Sequence, residues 1–319
     1  MSISQTPLFN RLLERLPLSE HELVILIATA SSRYKTHFIQ KRQGRGLREI
    51  SQPTWEIKYL QRLLISGELR NLPVHTAAVG YQAGRSILDH AEPHASARYL
   101  LKLDFTDFFS SLKRAALEHR LSIDTNYSNS ERWILCNLLC RNVRRTGQYQ
   151  LSIGAPSSPL ISNYLLYEFD SKINEFCAEN GVTYTRYADD LAFSTSIPRL
   201  LNVVEVEVRR VVAELAYLGL ALNESKTINV STKRRRTLVG LTLSNSGNAS
   251  IGRDAKRELR SAIHKARHGL LSSSDISNLM GRLAFTLAID PEFVRHLLSR
   301  HSYSSIADVG VERADSQNP

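Results

Sequence analysis

Residues 183–195 read TYTRYADDLAFST. Two arms rich in β-branched and aromatic residues, Val182–Tyr187 and Leu191–Ser194, meet at Asp189 and Asp190, so the stretch reads as a tight β-hairpin with two adjacent carboxylates in its bend. Aspartates bend chains routinely, and plain turn chemistry accounts for many such pairs. Here the flanks are apolar, and two like charges beside a core are costly unless a cation neutralises them. Eighty-five positions upstream, RYLLKLD (98–104) is a short apolar strand that ends in Asp104, a candidate third carboxylate. Hard oxygen donors in this number suit Mg²⁺, with Mn²⁺ as a substitute. Two such ions about 3.5–4 Å apart would activate a hydroxyl nucleophile and steady a leaving pyrophosphate, which points to phosphoryl transfer.

Working outward, Ser19 and Glu22 form a capping-box pattern ahead of the apolar run Leu23–Ala30. Residues 34–52 read as two extended arms around Gln43-Gly44-Arg45-Gly46, with a helix bearing Ile57, Leu60, Leu63 and Leu64 started by Pro53. FTDFFSSL leads from Asp104 to a helix beginning near Lys113. The stripe Ile161, Leu165, Phe169, Ile173, Phe176 predicts one helix over 158–179, closed by Gly181. A further helix is expected over 198–218, then strands over 227–231 and 237–243. From about 253 the chain is helical, with Ala255, Leu259, Ala262, Ala266 and Leu270 on one face and Arg253, Arg257, Arg260, His264 and Arg267 on another.

The 319 residues are 42% hydrophobic and 23% charged, with a net charge of +10, which fits a folded protein with a polyanionic partner and excludes a disordered chain. Between 232 and 268 ten Lys or Arg face only Asp254 and Glu258. A basic face including Lys233, Arg234, Arg235 and Arg236 suits a duplex held by its phosphates, although a solvated surface would look the same. Cys136, Cys140 and Cys177 are too few and too badly spaced for disulfides or zinc, and four-residue spacing makes the first two one buried helix face. No run reaches the about 18 apolar residues of a membrane helix, and no signal core opens the chain, so a cytoplasmic protein is expected.

Tyr187-Ala188-Asp189-Asp190 together with LKLDFTDFF, in that order and spacing, resembles the two catalytic motifs of reverse transcriptases. The resemblance covers about residues 34–300 and implies an α+β right-hand polymerase: an N-terminal support (1–33), fingers (34–96), palm (97–245, with a fingers insertion near 113–150), helical thumb (246–305) and a frayed tail (306–319). It makes Asp104, Asp189, Asp190 and the Phe105 backbone the metal ligands, sets Asp107 and Phe108 near the incoming deoxynucleoside triphosphate, and makes Phe109 the steric gate against a ribose 2′-hydroxyl. Ile153-Gly154-Ala155-Pro156 is similar to the loop beside the nascent base pair, where Gly154 and Ala155 let backbone approach substrate; the family's usual Pro-Gln is Ser152-Ile153 here. Lys226, in Asn223–Thr227, matches a lysine near the triphosphate, and Arg42, Arg45 and Arg48 on the fingers hairpin are candidates to clamp its phosphates.

Among reverse transcriptases, a chain of this length resembles the retron type of bacteria. Arg85–His94 is similar to the retron segment ending in Ala-x-x-His, with His90 where Asn is common, and Leu238-Val239-Gly240 stands where Val-Thr-Gly is usual. The resemblance implies a structured non-coding RNA as template and primer, synthesis begun from an RNA 2′-hydroxyl, a branched RNA–DNA product (msDNA), and an effector protein in phage defence. Two other readings compete: a reverse transcriptase of an intron, diversity-generating or CRISPR-associated element, and a non-catalytic RNA-binding protein on the same scaffold.

Overall fold

A computed structural model describes residues 3–40 and 46–311. By their contacts these fall into two units, Met1–Gly84 with Leu101–Phe193 and Arg199–Ile228, and Arg85–Leu100 with Ser194–Pro198 and Asn229–Pro319. The observed class is α+β, as expected.

In the first unit, β1 (Tyr34–Gln40) and β2 (Leu47–Pro53) pair antiparallel with Ile39 opposite Arg48, His37 opposite Ile50 and Lys35 opposite Gln52. Period-two alternation therefore puts Arg48, Ile50 and Gln52 on one face. Pro53 ends β2 rather than opening the next helix: α1 is Trp55–Ser66, with Ile57, Leu60, Gln61 and Leu64 buried. β3 (Tyr99–Asp104) is a buried strand. The helix expected over 158–179 divides into α2 (Ser158–Leu165) and α3 (Tyr167–Glu179) at Leu166, where φ is −86° and ψ is 4°. The apolar spacing continues through the break, with Ile161 and Leu165 of α2 and Phe169, Ile173 and Cys177 of α3 all buried. β4 (Thr183–Tyr187) and β5 (Asp190–Thr195) form the expected hairpin. α4 (Leu200–Glu214) stops short of 218, the chain finishing in a 3₁₀ turn over Ala216–Leu218. β6 (Ile228–Ser231) leads out of this unit, and in the order β4-β5-β3 the strand carrying Asp104 lies next to the one that begins at Asp190.

In the second unit, the strand expected over 237–243 is a hairpin of β7 (Arg236–Leu238) and β8 (Leu241–Leu243), joined by β9 (Ala249–Ser250) in the order β9-β8-β7. Val239 (φ 42°) and Gly240 (φ 87°) turn the chain between them, two consecutive positive φ values that make a tight hairpin turn. α5 (Arg253–Arg267), α6 (Ser273–Ile289) and α7 (Pro291–Arg300) complete it. The packed side of α5 is Leu259 and Ile263, while Leu270, expected there, lies past the helix end and is exposed. The three cysteines are buried, and burial pushes the Cys136 and Cys177 thiols up to about 12. No described helix is long and apolar enough to cross a membrane.

Candidate active site

The bend between β4 and β5 is built by a non-glycine residue in left-handed backbone, Ala188 at φ 58°. Three devices hold it there. The segment Ala77–Val79 runs beside β4, with Arg186 N–H donating to the Ala77 carbonyl (2.7 Å) and Val79 N–H to the Arg186 carbonyl (2.9 Å). Gly80 then passes so close that a Cβ there would sit 2.7 Å from the Ala188 nitrogen. From inside, the fully buried Arg186 guanidinium donates to the Ala188 carbonyl (3.0 Å), to Asn163 Oδ1 (3.0 Å) and to both oxygens of Asp170 (2.8 and 2.6 Å). Burying a charge is tolerated when it is paired and hydrogen-bonded throughout, and this one is spent on the bend.

Phe105 N–H donates to the Asp189 carbonyl (3.3 Å), which ties the end of β3 to that bend. Asn223 N–H donates to the Asp104 carbonyl (2.7 Å) and Thr106 N–H to the Ala221 carbonyl (2.8 Å), bringing the Lys226 loop alongside. Lys226 Nζ lies 2.8 and 2.9 Å from the two Asp104 oxygens. Burial opposes the lysine's charge, yet the Asp104 carboxylate outweighs it and holds Lys226 above its ordinary value. Burial and the neighbouring Asp104 charge push Asp189 up, while burial and Asp189 push Asp190 up to about 6. The charges of Lys102 on β3 and Arg48 on β2 act against that rise, favouring ionised Asp190 and Asp189 respectively.

Among the described residues no three His, Cys, Asp or Glu side chains already converge as a ready cation cluster. The chemistry of the donor set is nevertheless that of a cation site. It consists of three carboxylates on two neighbouring strands and their bend, two of them strained by burial and mutual repulsion, and one clasped by an ammonium through both oxygens.

Beside them lies a cavity of about 370 Å³ lined by Gln52, Lys58, Arg62, Tyr81, Phe109 and Gly154, among others. Tyr81 ties it to the carboxylates, since burial and the Asp189 charge both raise its phenol. Ala155 and Ser152 also line it, and Gly154 (φ 111°) is packed so tightly that a Cβ would meet Gln52 Cγ at 2.9 Å. Phe109 lies at the cavity, 6.2 Å from the Tyr81 ring. Phe108 is 5% exposed and stacks on Phe105 at 6.0 Å, so its ring is core. Asp107 is exposed in left-handed backbone (φ 46°) ahead of the Phe108–Ser111 turn of helix. Arg42 and Arg45 fall outside the described residues.

Of the cations expected to meet phosphates, Lys233, Arg234 and Arg235 are exposed before β7, and Arg253, Arg257, Arg260, His264 and Arg267 line the exposed side of α5. Arg260 lies over the Phe293 ring and Arg267 over Tyr303, while Arg235 and Arg257 also face Asp254. Arg236 is a correction: only 1% exposed, it donates to the carbonyls of Ala95, Ala97 and Ser244, so its guanidinium is turned into the protein rather than toward a phosphate in solvent. Sequence reading passed over Arg186, Lys102, Tyr81 and Gln52. An arginine inside an otherwise apolar strand signals the first, whereas the other three become visible only when the strands are registered.

Residues 39–243 match the family model described as reverse transcriptase (RNA-dependent DNA polymerase). The chain is 36% identical over 292 residues to the retron Ec83 reverse transcriptase of Escherichia coli, covering 90% of this chain and 92% of that protein. It is 31% identical over 288 residues to the retron Ec86 reverse transcriptase of the same organism, covering 88% and 84%. Among solved structures it is similar in fold to apo telomerase from Candida tropicalis, with a TM-score of 0.52 at 16% identity, over 89% of this chain and 57% of that one.

Proposed function

Since the chain belongs to the reverse transcriptase family, we propose that Asp104, Asp189 and Asp190 form the catalytic centre of a retron-type RNA-directed DNA polymerase. The observation that supports this is that β3, which ends at Asp104, lies next to β5, which begins at Asp190, with Phe105 N–H on the Asp189 carbonyl, inside a chain matched along nine-tenths of its length by a retron enzyme.

Two magnesium ions, with manganese as a substitute, would be held by the three carboxylates and the Phe105 carbonyl. When bound, they supply activation of the attacking hydroxyl and neutralise charge on the leaving group. The protein's own groups do the rest. Arg48, with Arg42 and Arg45, forks onto triphosphate oxygens. Lys226, kept charged by its acidic neighbours, has a proton at Nζ to give to the departing pyrophosphate. Phe109 closes the space a 2′-hydroxyl would need, and Gly154 with Ala155 lets backbone approach the substrate. The exposed cations of α5 and of residues 233–235 hold nucleic acid by its phosphates.

The substrate reading extends the resemblance to retron enzymes: a structured non-coding RNA as template and primer, synthesis from an RNA 2′-hydroxyl, a branched RNA–DNA product, and an effector protein in phage defence. Asp189→Asn with Asp190→Asn is nearly isosteric, so the purified double variant is expected to fold and bind RNA while extending no primer. Unaltered extension would refute the assignment. Sequencing nucleic acid that copurifies with the protein tests the retron reading: one branched RNA–DNA species supports it, and heterogeneous RNA counts against it.

A further inference from the structure

The outer face of α1 is unusual for a surface helix. Trp55 is 77% exposed and Tyr59 51% exposed, and Arg62 follows on the same side. Counting about 100° per residue, these three fall within about 60° of one another, with Lys58 about 40° further round. The apolar positions that α1 needs for packing, Ile57, Leu60 and Leu64, point the other way and are buried. Two large rings left in water by a helix that already has a complete core call for a partner.

The cations say which kind. Lys58 and Arg62 line the cavity that also holds Phe109, Gly154 and Tyr81, so the helix that carries the two rings borders that pocket through its cations. Rings alternating with cations are what unpaired nucleic acid requires, because each base offers a π-face to an aromatic ring and each phosphate a charge to Lys or Arg. A duplex cannot use them: its bases are stacked on one another, and it offers only phosphates. At a site that copies RNA, the strand that is still unpaired is the template not yet copied.

We infer that Trp55 and Tyr59, flanked by Lys58 and Arg62, form a stacking platform for the unpaired RNA template just ahead of the nascent base pair. This rests on the polymerase reading of the carboxylate site. The two can fail separately. Full-length protein would be titrated, by fluorescence anisotropy, with an RNA template–DNA primer duplex carrying about six unpaired template nucleotides ahead of the primer 3′ end, and with the same duplex made blunt there. Trp55→Ala with Tyr59→Ala is expected to weaken the overhang complex about tenfold or more and leave the blunt complex unchanged; Trp55→Phe with Tyr59→Phe should restore most of the loss. Equal binding of the overhang by the alanine variant and the parent overturns the platform, as does equal weakening of both duplexes. So does an alanine variant that keeps its grip on the overhang and loses a copurifying protein instead. Extension of the overhang duplex by the parent protein is the separate arm: if it is absent, the polymerase reading fails, whatever the platform does.

Discussion

Lys226 sets its ammonium against both carboxylate oxygens of Asp104, at 2.8 and 2.9 Å, across 122 positions of sequence. The contact keeps the lysine protonated well past neutral pH, and the loop that carries it is pinned by Arg209 gripping Glu224 at 2.6 and 2.8 Å. A proton held at that place is available to a leaving group. Lys226→Met should therefore lower kcat for single-nucleotide incorporation by roughly 10²-fold or more while KM changes little. Lys226→Arg keeps the charge but cannot give up a proton, so its KM should stay at the parent value and its kcat should remain low. An arginine variant with normal kcat would remove Lys226 from the chemistry.

Asp190 provides a pH test. Its folded-state value, about 6, lies above the ordinary aspartate value of 3.8, because burial and Asp189 disfavour the charge. A raised folded pKa means that the folded protein holds the proton more tightly than the unfolded chain does. The associated stability is complete below about pH 4 and is lost as pH rises through about 6. In a chelator-containing buffer, Asp190→Asn should flatten that part of the stability curve and stabilise the protein at pH 8 by about 1–3 kcal/mol, while abolishing synthesis. Urea titrations of parent and variant at pH 4 and pH 8 check it; a variant with no gain at pH 8 would show that burial and Asp189 do not raise Asp190.

Much of this site was legible before any coordinates, because metal-assisted phosphoryl transfer demands carboxylates and hairpins leave a period-two signature. Asp104, Asp189 and Asp190 could be placed at a strand end and a bend from local pattern alone. What local pattern could not give was the partner of a charge. Arg236 sat in a run of four cations, and only packing shows it facing three carbonyls while its neighbours face solvent. Likewise Gln52 and Tyr81 reach the cavity through strand register and a close backbone passage at Gly80, neither of which is written within a few residues. The split at Leu166 was hidden for a different reason: the apolar repeat runs through it unbroken, with Ile161, Leu165, Phe169 and Ile173 all buried.

Phe108 and Phe109 are adjacent, yet they should respond oppositely. The first is core, stacked on Phe105; the second borders the cavity near Tyr81. Phe109→Ala is expected to reduce the preference for deoxynucleotides over ribonucleotides by about tenfold or more with little change in melting. Phe108→Ala should leave discrimination intact and cost about 3–5 kcal/mol of stability. Incorporation assays with paired dNTP and rNTP substrates, alongside urea melts, separate them. The gate assignment fails if Phe109→Ala discriminates as the parent does.

Arg186 and Asp170 are both completely buried, joined by two hydrogen bonds, with the Tyr184 hydroxyl donating to the same carboxylate at 2.7 Å. Removing one partner leaves an uncompensated charge in the core, so Asp170→Leu or Arg186→Met alone should cost about 3–5 kcal/mol. Replacing both with apolar residues removes the desolvation problem together with the pair, and the double variant should recover a large part of that loss. Catalysis should not return with it. Arg186 also donates to the Ala188 carbonyl, and without that bond the bend carrying Asp189 loses its internal strut. Misplacing catalytic groups by about 1 Å can cost about 10²-fold in rate. Stability by urea titration and single-nucleotide incorporation, measured on the two single variants and the double, therefore distinguish a pair that only holds the fold from one that also aims the carboxylates. Activity that recovered in step with stability would assign Arg186 to the fold alone.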